Sequence, residues 1–148
     1  LLFYALQMIL SETIGSKILV PRIRNITWLY RTVARLRETG PGGYSGLFDY
    51  AFHEDYGFVY SERLFEDIQI LVAMGMIYQD QRHYEKGGRW LQRYEYMLTA
   101  EGMKYAEGAA QSYKKESEWL VGHLRQERHS IPYDQVSLSL PRYRGQKG

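Results

Sequence analysis

The stretch that most constrains the fold lies between residues 76 and 98. Two runs, 76–84 and 89–98, flank a short segment that ends in Gly87-Gly88. In the second run, large apolar or aromatic side chains alternate with more polar neighbours: Trp90, Tyr94, Tyr96 and Leu98. Two such runs on either side of a Gly-Gly tip predict a β-hairpin.

Helical patterns surround this hairpin. Apolar residues recur at three- and four-residue steps in the stretch 23–39, which stops at the breaker Gly40-Pro41-Gly42-Gly43. Ser61 and Thr99 are good N-caps for helices over 62–74 and from 99 to about 128. The apolar stretch 1–14 predicts a first helix, and alternating aromatics at 48–52 predict a short strand with one buried face.

The order of these elements is helix, basic helix, turn, helix, hairpin, helix. It predicts a mainly α fold with a small β-hairpin, namely a winged helix-turn-helix with a long C-terminal helix. We expect a winged-helix domain over 1–108 and a helix over 109–129 that either dimerises or docks on the first helix. Residues 130–148, with two prolines, are expected to form an irregular tail.

Two sequence blocks resemble a known family. Tyr56-Gly57-Phe58-Val59-Tyr60-Ser61, followed by Leu64, Asp67, Ile68, Leu71, Gly75, Met76 and Ile77, is similar to its "YGPYS…L…dL..L…GLI" block. Tyr96-Met97-Leu98-Thr99-Ala100-Glu101-Gly102 resembles its "Y.LT.eG" block. The family comprises archaeal and phage-associated winged-helix proteins, including Panacea-type antitoxins, and the resemblance covers about residues 1–108. Phe58-Val59 replaces the usual Gly-Pro portion, so a function tied to that loop is not carried over.

Composition excludes several classes of function. The chain has no cysteine, so disulfides, thiolate nucleophiles and cysteine-ligated zinc are impossible, and a cytoplasmic location is expected. The apolar run 1–10 is half the length of a membrane span, so we expect no membrane partner. The four histidines lack metal-ligand spacing, and no phosphate-cradling loop follows a strand. We therefore expect no enzyme activity, no cofactor and no metal.

Charge is unevenly distributed along the chain. The formal net charge is only +2, but residues 22–38 sum to +4, residues 44–70 to −5 and residues 79–93 to +2. This pattern predicts a molecule with separate basic and acidic faces, and such faces select partners more than they determine the fold.

The basic face makes double-stranded DNA the first expected partner. The helix over 62–74 carries three acids that would meet phosphate repulsion, so phosphate contacts should come mainly from the wing and from the arginines of residues 22–37. The sequence thus predicts a homodimeric transcriptional regulator of the winged-helix type. A solvated hairpin and a solvated helix face are the alternative explanations. The candidate DNA-binding residues are Arg24, Arg31, Arg35, Arg63, Gln69, Arg82, Lys86, Arg89 and Arg93.

The acidic face supports a second hypothesis, a protein-interaction module of the antitoxin or adaptor kind. Tyrosines among carboxylates provide large contact area and charge selection together. The family resemblance implies the same kind of partner, whereas a solvated loop is the alternative explanation. The candidate partner-binding residues are Tyr50, Glu54, Asp55, Tyr56, Glu62 and Glu66.

Overall fold

A computed structural model describes residues 1–15, 19–39, 48–132 and 134–140. These residues contain five α-helices, a short 3-10 helix at Arg128–Ser130 and six β-strands. The helices are α1 (Leu2–Ile14), α2 (Ile26–Thr39), α3 (Glu62–Ala73), α4 (Ala100–Ser112) and α5 (Lys114–Gln126). The strands are β1 (Val20–Ile23), β2 (His53–Asp55), β3 (Phe58–Tyr60), β4 (Ile77–Lys86), β5 (Arg89–Leu98) and β6 (Val136–Ser139).

The main sheet has four antiparallel strands in the order β4-β5-β1-β6. This finding overturns the predicted class, because the fold is a mixed α/β structure rather than a mainly α winged helix with a small hairpin. The predicted hairpin exists, but it forms only half of the sheet. The other half comes from β1 and β6, two four-residue strands separated by more than a hundred residues in the chain.

Strand β6 lies in the segment that was predicted to be an irregular tail. Val136 is fully buried, and β6 pairs with β1 from Val20↔Ser139 to Ile23↔Val136. Its sequence alternates valine and leucine with serine, which is a strand pattern. Pro132 precedes the strand and does not interrupt it, and Pro141 lies outside the described residues.

The predicted long C-terminal helix is two helices. The backbone at Tyr113 leaves the helical region (φ −116°, ψ 54°), and α5 turns back to pack against α1. Leu120 and Leu124 of α5 are buried in the core together with Ile9 of α1. Of the two roles expected for the helix over 109–129, the packing of α5 on α1 is docking on the first helix.

The junction between β5 and α4 explains the "Y.LT.eG" block. As predicted, Thr99 caps α4, because its Oγ1 accepts from the Gly102 N–H at 2.9 Å. The same hydroxyl donates to the Gly75 carbonyl at 2.6 Å. At Gly102, an added Cβ would overlap the Met76 carbonyl oxygen, so only glycine lets α4 approach the start of β4 this closely.

Strand placement between residues 48 and 60 differs from the prediction. The strand expected at 48–52 is absent from these described residues, and β2 begins at His53 and pairs with β3 in a separate two-stranded sheet. Phe48 is instead buried without forming a strand. The breaker Gly40-Pro41-Gly42-Gly43 lies outside the described residues, although α2 ends at Thr39 as expected.

None of the helices within the described ranges combines the length and the apolarity that crossing a bilayer requires.

Candidate nucleic-acid interface

The β4–β5 hairpin, here called the long hairpin, projects from the body of the protein. Its strands have ten residues each, and their fully buried positions lie at the base, at Ile77 and at residues 95–98. Beyond Asp80 and Glu95 almost every residue is exposed. At about 3.4 Å per residue, the part of the hairpin beyond Asp80 and Glu95 is about 20 Å long.

The turn of the long hairpin places two cations side by side. Gly87 and Gly88 both have positive φ (60° and 77°), as a two-residue hairpin turn with the natural strand twist requires. Lys86 therefore pairs directly with Arg89 across the turn. The next residue, Trp90, exposes 75% of its surface. Two cations and a free indole thus share the tip.

A buried ion-pair network holds the base of the long hairpin. Arg22 of β1 is only 7% exposed, and its guanidinium donates to Glu95 and to Asp80, each at 2.7 Å. Two further arginines complete the network: Arg82 lies 2.9 Å from Asp80, and Arg93 lies 2.9 Å from Glu95. Three guanidinium groups thus share two carboxylates, and the network joins β1, β4 and β5.

This network includes two candidate DNA-binding residues. Arg82 and Arg93 were expected to contact phosphates, and the structure places their guanidinium groups on the carboxylates of Asp80 and Glu95. Arg93 also lies over the ring of Tyr84, 5.3 Å from its centroid. Both arginines therefore orient the hairpin, and the unpaired cations of its projecting part are at the tip.

The remaining candidate DNA-binding residues lie on elements other than the tip, on α2, on α3 and just after β1. Arg35 of α2 forms an ion pair with Glu127 at 2.7 Å, and Arg31 donates to the Gly57 carbonyl at 3.3 Å. Gln69 of α3 donates to the Gln79 side chain at 2.7 Å, whereas Arg63 is exposed on the same helix. Arg24, just after β1, lines a cleft beside β5.

The candidate partner-binding residues divide into two groups. Tyr50 is not freely available, because its hydroxyl donates to Asp67 at 2.6 Å; burial and this hydrogen bond raise the pKa of Tyr50 to about 12. The others are exposed, at the β2–β3 turn (Glu54, Asp55 and Tyr56) and on α3 (Glu62 and Glu66). Tyr56 is 94% exposed and Phe58 of β3 is 61% exposed.

Sequence reasoning missed the roles of Arg22, Asp80 and Glu95. A signal was present for Arg22 and Glu95, which stand between apolar or aromatic residues, but not for Asp80, which stands between Gln79 and Gln81. Charged residues are rarely buried unless they are paired, so such positions point to ion pairs between strands. In the described part of the chain, histidine and carboxylate side chains form no cluster of three that could hold a metal.

Comparisons with protein-family models, with curated proteins and with solved structures find no match to this chain.

Proposed function

We propose that this protein binds double-stranded DNA through the tip of the long hairpin, as a transcriptional regulator would. The observation that carries the proposal is the pairing of Lys86 with Arg89 next to the exposed Trp90, at the end of a projecting ribbon. A two-stranded ribbon fits the major groove of B-DNA, which is about 12 Å wide.

The charges at the tip suit a phosphate backbone. Among the described residues neither Lys86 nor Arg89 forms an ion pair, so binding would not require breaking an internal one. Residues 81–94 contain one acidic residue, Glu85, and four lysines and arginines. Cations that lose only water and counterions on binding contribute fully to the salt dependence of affinity.

The indole of Trp90 supports the same function. Trp90 has three quarters of its surface in water, and tryptophan is enriched at interfaces because it offers a large apolar ring together with a polar N–H. Next to cations, an indole can pack on a deoxyribose or a base and add contact area that phosphate binding alone lacks.

A salt titration tests the proposal. Fluorescence anisotropy with a 20-base-pair duplex should show binding that weakens steeply between 50 and 200 mM salt. The double substitution Lys86→Ala, Arg89→Ala should reduce the slope of log K against log salt by about 1.8, two phosphate contacts at about 0.9 each.

The matched control is Lys114→Ala, Lys115→Ala, which removes the same charge from the exposed start of α5. Its slope should equal that of the wild type. Equal losses in both double variants would mean that net charge alone attracts DNA, and no duplex binding at 50 mM salt would remove the proposal altogether.

A second candidate function is binding of a protein partner at the β2–β3 hairpin, as the antitoxin-like hypothesis implied. The exposure of Tyr56 and Phe58 beside Glu54 and Asp55 favours it. Tyr56 also has a positive φ of 51°, a strained conformation for a tyrosine that functional sites often retain. If this function holds, Tyr56→Ala with Phe58→Ala should abolish co-purification of a partner that the tip variant still retains.

A homodimer remains part of the proposal, with an interface that does not include Leu120 and Leu124 of α5. Both side chains are already buried within one chain. Light scattering of the purified protein decides the point, since a dimer should give a molar mass near 35 kDa, twice the 17.5 kDa of the chain.

A further inference from the structure

A cleft of about 480 Å³ lies beside the long hairpin, close to where β5 leaves β1. Strand β1 pairs with β5 only at Arg22↔Met97 and Ile23↔Tyr96, and the chain then turns into α2. The cleft is bounded by this part of β5, by the start of α2, by Phe65 of α3 and by residues 134–135. Its volume is that of a small-molecule site.

Aromatic rings form much of the wall of this cleft. Five aromatic side chains come from four different elements, so the tertiary fold, and not one amphipathic segment, assembles them. They are Tyr30, Phe65, Tyr84, Tyr94 and Tyr96. Flat, polarisable walls of this kind suit a planar ring in the ligand.

Arg24 contributes positive charge to the lining of the cleft. Its Nε atom is buried and lacks a hydrogen-bond partner among the described residues, and the side chain forms no ion pair there. A buried donor without a partner is costly, and a ligand acceptor would remove that cost. This is the observation that points to an anionic group in the ligand.

The start of α2 adds to the positive potential beside Arg24. Asn25 and Ile26 line the cleft, the Thr27 N–H donates to the Asn25 side chain at 2.9 Å, and the first turn contains no acidic residue. The positive end of the dipole of this 14-residue helix is therefore not neutralised by its own sequence.

Two other charged residues line the cleft. Arg93 is already paired with Glu95 at 2.9 Å, so its charge is largely compensated. Asp134 opposes an anion, but it is exposed, where water and salt screen its charge more strongly than that of the half-buried Arg24. The balance favours an anion on the Arg24 side.

We propose that this cleft binds a nucleoside monophosphate, with the phosphate at Arg24 and the start of α2 and the base against the tyrosine and phenylalanine rings. A phosphate alone would leave the aromatic wall unused, and an uncharged ring would leave the Arg24 donor unsatisfied. A mononucleotide satisfies both sides within the available volume. The proposal is independent of DNA binding, which uses the hairpin tip.

Isothermal titration calorimetry without DNA tests it, with AMP, GMP, CMP and UMP as probes. At least one should bind the wild-type protein, and its nucleoside and inorganic phosphate should each bind at least tenfold more weakly. Arg24→Met should weaken that nucleotide at least tenfold, whereas Arg63→Met, the control at an exposed arginine of α3, should not change it. Asp134→Asn should tighten binding two- to threefold, because it removes the opposing charge.

Phe65→Ala provides a second variant, because Phe65 is exposed and its truncation should leave the fold intact. It should weaken the nucleotide at least fivefold and leave the affinity for inorganic phosphate unchanged. The proposal is overturned if none of the four nucleotides binds at 1 mM, if phosphate binds as tightly as the best nucleotide, or if Phe65→Ala has no effect.

Discussion

The two ends of the long hairpin are built on opposite principles. At its base, Tyr96, Met97 and Leu98 are buried, and Arg22 and Glu95 form an ion pair that is shielded from water. At its tip, the cations and the indole of Trp90 lie in solvent. The same two strands are thus held by packing and ion pairs at one end and are exposed to solvent at the other.

Because the base is buried and the tip is exposed, we expect the base to determine stability and the tip to determine binding. Substitutions near the base should change the free energy of unfolding, whereas substitutions at the tip should change affinity alone. The presence of positive charge does not distinguish the two ends, because Arg22, Arg82 and Arg93 lie in the network at the base and Lys86 and Arg89 lie at the tip. Burial and pairing do.

The largest effect is expected at the junction below the base. Gly102→Ala should lower the free energy of unfolding by about 3 kcal/mol or more, because the new Cβ would also lie 2.8 Å from the Met76 carbonyl carbon and backbone would have to move. Gly108→Ala in the same helix is the control. A Cβ there meets open space, so urea denaturation should show a gain of about 0.5–1 kcal/mol.

The next largest effect concerns the ion-pair network. Arg22→Met should cost about 2–3 kcal/mol, less than a typical broken buried pair, because Arg93 and Arg82 still neutralise part of the charge on Glu95. Arg63→Met on the exposed face of α3 should cost less than about 0.5 kcal/mol in the same denaturation series. Equal effects of the two variants would mean that the network contributes nothing beyond surface charge.

A smaller effect should appear at alkaline pH. Burial raises the pKa of Tyr96 to about 12, with added contributions from the neighbouring Tyr30 and Tyr94. The folded state favours the neutral phenol, so its contribution is complete below pH 10 and is lost as pH rises from 10 through 12. Stability measured in urea should therefore fall over this range, with a smaller fall in Tyr96→Phe.

Tyr105→Phe is the matched control for that measurement, since Tyr105 of α4 is exposed and is not among the groups that raise the pKa of Tyr96. Its alkaline loss of stability should follow the wild type. A fall that is equally steep in Tyr96→Phe would contradict the assignment, although Tyr50, whose pKa is also raised to about 12, keeps part of the slope in every variant.

The smallest effect on stability is expected at the tip. Lys86→Ala with Arg89→Ala, and separately Trp90→Ala, should change the free energy of unfolding by less than about 0.5 kcal/mol. These exposed side chains have no ion pair within the described residues that their removal would break. A loss above 1 kcal/mol in either variant would show that the tip packs against the body.

Local signals in the sequence predicted the local structure well. The Ser61 and Thr99 caps, the Gly87-Gly88 turn and the helix that ends at Thr39 depend on neighbours in the chain, and each lies where the pattern indicated. Short-range capping and turn chemistry determine such features. The position of Lys86 and Arg89 beside the hairpin turn could be predicted from the same short-range pattern.

Long-range pairing escaped sequence reasoning, and the predicted fold class was wrong for that reason. Strand β1 was not predicted, and its last residue, Ile23, was placed in the helical stretch 23–39, while β6 was placed in the irregular tail. Neither four-residue strand shows its distant partner in its own sequence. Arg22 likewise resembles its neighbours Arg24 and Arg31 in sequence, and only the contact with Glu95, 73 residues away, distinguishes it. The cleft lined by residues from α2, α3 and β5 depends on the same distant contacts.

Because the ion-pair network holds the long hairpin at its base, any tilt of the base is amplified at the tip. With an arm of about 20 Å, a tilt of 10° at the base would move the tip by about 3.5 Å, more than a hydrogen bond to a phosphate tolerates. If the hairpin became ordered only on binding, the conformational entropy lost would lower the affinity of the complex. Arg22 lies at the opposite end of the hairpin from the proposed DNA contact. By fixing the base, it would limit the error with which the tip is positioned on DNA.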